Sequence, residues 1–185
     1  MSNRLKLTLI VLSILIGIGS AYVLVASRHY TQRQTAAMTL IRDMDSIDQQ
    51  ISQASREFGL ALSHFLESPE EADPGALQHA HRTLIESVNQ SIAVVSHLQA
   101  PESDHGAAFI SAQRRFLLVQ RHIIREDFGK LLGLLAETST PLPQQESSIR
   151  GIIDAASTET EREFTSVHAI REKFANEFAI HLTTQ

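Results

Sequence analysis

Nine histidines, several with acids beside them, are the first residues in this chain that could do chemistry. His64, His79 and His81 flank a turn that holds Glu67, Glu70, Glu71 and Asp73. Imidazole nitrogens and carboxylate oxygens are acceptable donors for zinc or copper. The Glu-x-x-His pair that di-iron bundles carry on two helices is missing, however. His79 and His81 are two apart, about 200° around a helix, so they diverge from any shared ion. They read as solvated side chains at a helix end, and no metal is expected. Met44 and His181 offer the axial pair of a b-type haem. They differ in height by several residues, and a methionine on an apolar seam is ordinarily packing, so no cofactor is expected either.

A second set comes from counting about nine residues back from the far end of each helix described below. The count reaches Gly59, Gly129 and Gly151, and close to them Arg56, Arg82, Arg125 and Arg150. A glycine inside a helix costs about 1 kcal/mol relative to alanine, so three at one level suggest close packing or a small cavity. Four guanidinium groups around that level would suit a carboxylate or phosphate ligand. The competing reading turns them outward to local acids. Glu86 lies four after Arg82, and Asp154 four after Arg150.

No catalytic set emerges, and the chain is not expected to be an enzyme. There is no phosphate-cradling glycine loop and no nucleophile elbow. Glu70 and Glu71 fall in a wet turn and would be ordinary acids. The absence of cysteine excludes disulfides and thiolate chemistry. Once Arg4 and Lys6 are set aside, 14 basic and 21 acidic residues remain, a net charge of −7. That excess of acid argues against nucleic acid as a partner.

The elements that must position these residues follow from periodicity. Leu40, Met44, Ile47, Ile51, Ala54, Phe58, Ala61 and Phe65 alternate in steps of four and three, a heptad seam. Pro69 ends it. Asp73 and Pro74 then start a second helix as cap and first residue. Its stripe is Leu77, Leu84, Ile85, Val88, Ile92, Val95 and Leu98. A third carries Phe109, Phe116, Leu117, Ile124, Phe128, Leu131 and Leu135, and a fourth Ile149, Ile153, Ala156, Thr160, Val167, Ile170, Phe174 and Phe178. The expected helices are 27–67, 74–99, 104–137 and 142–183. Long helices with short connections predict an all-α, up-down-up-down antiparallel four-helix bundle. The first and fourth, about 40 residues or ~60 Å each, are expected to reach beyond the second as a two-helix stalk.

Residues 5–26 hold no charge except Lys6, long enough for a helix to span a hydrocarbon core of about 30 Å. Tyr22 and Tyr30 sit where amphipathic rings prefer the interface. A cleaved signal peptide would use Gly19, Ser20 and Ala21, but the apolar run continues through Val23, Leu24 and Val25, which favours an uncleaved anchor in residues 1–26. Arg4 and Lys6 on one side nearly balance Arg28, Arg33 and Arg42 on the other. A short basic tail before the span is the common signal-anchor layout, so residues 27–185 are placed in the periplasm of a bacterial inner membrane.

One span followed by the matched seams of Leu40 to Phe65 and Ile149 to Phe178 resembles the extracytoplasmic four-helix sensor modules of bacterial chemoreceptors and sensor kinases. The resemblance implies a periplasmic ligand-binding bundle. It departs from those receptors in showing no second span and no output domain. The leading expectation is therefore a membrane-anchored binding or scaffolding subunit that docks on a larger membrane complex or homodimerises. The alternative is a sensor module for a small anion at the arginine and glycine level.

Overall fold

The computed structural model describes residues 30–68, 71, 73–136 and 147–182 in full, and 3–29 and 142–146 as helical backbone. Among these residues there is no strand. The helices are α1 (Asn3–Glu67), α2 (Pro74–His97), α3 (Gly106–His122), α4 (Phe128–Ala136) and α5 (Leu142–Glu177). A π-helical turn, Ile123–Asp127, joins α3 to α4 without a break, so the described residues form four helical rods. No helix among the described residues is long and apolar enough to cross a membrane. The apolar block 5–26 lies outside the side chains described.

The seam of α1 is the spine of the core. Leu40, Met44, Ile47, Ile51, Ala54 and Phe58 are all buried, and Ala61 and Phe65 pack against them from the rim. Phe58 stacks on Phe128 at 5.2 Å and meets the His81 ring at 5.7 Å, which ties α1 to α2 and α4 at one level. Lower down, Phe109 of α3 stacks on Phe174 of α5. Arg115 meets Glu163 at 2.9 Å, and Gln120 donates to Thr160 at 2.9 Å. Along these pairs the α3 numbers rise as the α5 numbers fall.

Three stripes differ from expectation. On α2 the buried set is Leu77, Leu84, Val88, Ser91 and Val95, while Ile85 and Ile92 are half-buried. Ser91 is tolerated in the core because its hydroxyl donates to the Ser87 carbonyl one turn back. On α5, Ile153 is exposed and Ile152 takes its place against the core. The third rod is not a regular α-helix. Its π turn buries both Ile123 and Ile124 and widens the backbone ladder. His81 Nε2 lies 2.8 Å from the Ile124 carbonyl, to which it donates.

Among the described residues the expected two-helix stalk is absent. α5 ends at Glu177 rather than near 183, and the reason is a Schellman turn. The Ile180 N–H donates to the Ala175 carbonyl and the Ala179 N–H to the Asn176 carbonyl, with Ala179 at φ 52°. Gln34 donates to the Phe178 carbonyl at 2.9 Å, and Arg33 donates to the Glu102 carbonyl. The end of α5 and the α2–α3 connection thus close the bundle at the same height on α1. The short length of α2 is made up by residues 98–105, in which Glu177 accepts from the backbone N–H groups of Asp104 and His105.

Candidate functional site

Of the seven residues singled out above, Arg56, Gly59, Arg82, Arg125 and Gly129 lie near one level, and the arginines do not converge there. His81 meets both the Phe58 ring and the Ile124 carbonyl, which puts Arg56, Arg82 and Arg125 at similar heights. All four arginines are exposed, and Arg82, Arg125 and Arg150 each follow an inward-facing residue, a 100° step that turns them to the surface. A Cβ added at Gly59, Gly129 or Gly151 would meet nothing within 4 Å, so no close helix approach requires them. Arg56 borders the outer groove described next. His64 and His79 are exposed, Asp73 caps α2 through the Gly75 N–H, and Glu70 lies outside the described residues. Among the described residues no group of three His, Asp or Glu is placed to hold a metal ion. Met44 is fully buried, and His181 is exposed.

Polar groups do converge about three turns lower on α1, where α1, α3 and α5 face one another. The heptad phase of α1 turns Ile47 into the core and leaves Asp48 at its edge. Gln113 occupies an inward position of α3 between Phe109 and Leu117 and is only 1% exposed. Its Nε2 donates to Asp48 Oδ1 at 2.7 Å. Arg171 comes across from α5 and pairs with Asp45 at 2.7 Å. The Nε of Arg171 is buried without a hydrogen-bond partner. Burial pushes the Asp48 carboxyl up to about 6, against the lowering by the Gln113 hydrogen bond and the Arg171 charge; Asp45 adds to the rise.

Two cavities meet at this cluster. The inner one, of about 40 Å³, lies among Met44, Phe109, Phe116, Phe164, Val167 and His168. The outer one is an open groove of about 760 Å³ along α1, edged by Gln49, Ser52, Gln53, Arg56, Glu57 and Leu60. Asp48 and Arg171 line both. A water molecule needs only about 10–15 Å³ of such space, so the inner cavity can take a small polar head group. The site therefore offers a carboxylate, a carboxamide and a guanidinium against three phenyl rings, the mixture of apolar wall and few directed polar groups typical of ligand pockets.

Sequence reasoning passed over Asp48, Gln113 and Arg171. A signal for Gln113 existed: it stands four residues after Phe109 and four before Leu117, a polar side chain on an apolar stripe. Asp48 and Arg171 carried none, since each sits beside the seam at a position where solvated charge is ordinary. Compared with known proteins, the chain matches no family model, no curated protein and no solved structure.

Proposed function

We propose that this chain is a membrane-anchored binding module that holds a small molecule in the cleft where α1, α3 and α5 meet. The observation that carries this reading is Gln113, fully buried yet hydrogen-bonded to Asp48 in the wall of a cavity that opens to solvent. Polar groups in a bundle core cost stability compared with apolar packing, and a cavity beside them adds to that cost. A recognition site is a physical reason to keep both. The role is binding, not catalysis. Residues 5–26 would form a single membrane span, with the bundle on the periplasmic side of a bacterial inner membrane. An up-down-up-down arrangement is supported by the opposed numbering of α3 and α5 contacts and by Phe58–His81 across α1 and α2. A panel of small polar molecules in a thermal-shift assay on the full chain tests the binding role. Compounds should raise Tm for the wild type and not for Gln113→Leu; a panel in which nothing raises Tm contradicts the reading.

A second reading, docking on a protein partner or homodimerisation, is favoured by apolar side chains left in the open. Leu60 at 66%, Phe164 at 55% and Ile153 at 39% exposure belong to α1 and α5. Co-purification in gentle detergent decides it. A monomer that brings no partner rules it out.

A further inference from the structure

We propose that the inner cavity takes the ammonium head of a small primary amine, with Asp48 as its counter-charge and the α1 groove holding the remainder. This rests on the binding-module reading and names its ligand class.

Charge pairing in the cluster is unequal. Arg171 makes its direct ion pair with Asp45, at 2.7 Å, and reaches Asp48 only through its field. Asp48 has no such partner: its direct hydrogen bond comes from the neutral amide of Gln113. A largely buried carboxylate without a cation of its own is costly, and its raised proton affinity expresses that deficit. A ligand cation beside Asp48 would remove it. The walls agree with that sign. Phe109, Phe116 and Phe164 line the cavity, and the face of a phenyl ring attracts a cation. Size selects the head group. About 40 Å³ admits a primary ammonium but not a bulky quaternary one. Its N–H groups would donate to Asp48, and an attached chain would pass between Asp48 and Arg171 into the groove, where two acids, Asp45 and Glu57, stand against one further base, Arg56.

Besides Asp48, the charged and titratable groups lining the inner cavity are His168 and Arg171 on α5, and those lining the groove are Asp45, Arg56 and Glu57 on α1. Beside Phe116 on α3, Arg115 is held by Glu163 of α5. Amine binding needs ionised Asp48, so affinity should fall about tenfold from pH 7 to pH 5, given proton release near 6. His168 also faces the cavity, and His168→Gln separates the two: the fall should persist in that variant if Asp48 is the group.

Titration calorimetry on the full chain in detergent tests the proposal, with n-butylamine and 1,4-diaminobutane as probes and 1-butanol and butyrate as controls. The amines should bind at pH 7, 1-butanol and butyrate should not, and Asp48→Asn should weaken the amines at least tenfold without lowering Tm. Butyrate binding that Arg171→Gln removes, without amine binding, would overturn the ligand class and leave the site standing. Silent amines alongside Gln113-dependent stabilisation by another compound would do the same. Silence of the amines and of the whole panel would sink both readings.

Discussion

Asp48 makes the sharpest demand on experiment at the scale of single residues. Its carboxyl shifts from an ordinary value of 3.8 to about 6, chiefly through burial. Between those two values the folded chain keeps a proton that the unfolded chain releases, so acidification through this window favours folding. At about 1.4 kcal/mol per unit, wild type should gain on the order of 2 kcal/mol relative to Asp48→Asn between pH 7 and pH 4. Glu177 acts in the opposite direction. Burial raises its carboxyl, but the Asp104 N–H and the His105 ring and N–H win and hold it low. Comparing wild type with Asp48→Asn at each pH cancels that contribution; parallel denaturation midpoints in the two proteins would contradict the account. The glycines give a second residue-scale test. Gly59→Ala, Gly129→Ala and Gly151→Ala each enter open space and should stabilise by about 0.5–1 kcal/mol, read as a Tm rise of about 2–4 °C. Gly106→Ala should do the reverse, since its Cβ would lie 2.7 Å from that of Ala100. These glycines look alike in the sequence. What separates them is whether a neighbouring helix or loop comes near, and that is settled by tertiary packing.

Element by element, the parts legible in the sequence were those set by one helix alone. The α1 seam, the Asp73 and Pro74 start of α2 and the end of α1 at Glu67 all follow from local periodicity and capping. The rest needed a second element. The π turn in the third rod exists beside His81, from α2, which satisfies the Ile124 carbonyl. His81→Phe keeps the ring against Phe58 but removes the hydrogen bond to that carbonyl, and should cost about 1–3 kcal/mol. His81→Gln, which can donate in the same place, should cost less; equal losses in the two variants would show that the hydrogen bond does not matter. The Schellman turn was equally hidden, because its left-handed position carries Ala179 where glycine is usual. Ala179→Gly relieves that backbone and should raise stability by roughly 1 kcal/mol, measurable as a shift in the denaturant midpoint at constant m.

The whole molecule combines a helical rod, α1, with three further rods that close around its upper part. Its core is conventional at both ends: Phe109 and Phe174 near the base, Phe58 and Phe128 near the top. Between them lies a level where Asp48, Gln113 and Arg171 interrupt apolar packing and two cavities join. The central claim is that this interruption serves binding rather than stability. Thermal unfolding of the full chain carrying Asp48→Leu, Gln113→Leu and Arg171→Met together tests it most directly. A cluster kept for a ligand is a cost to the free fold, so the apolar variant should unfold at a higher temperature, by an amount equivalent to about 1–4 kcal/mol, and should lose every ligand-induced shift. A lower Tm with a broadened transition would show that the polar cluster is part of what holds the bundle together, and would contradict the account.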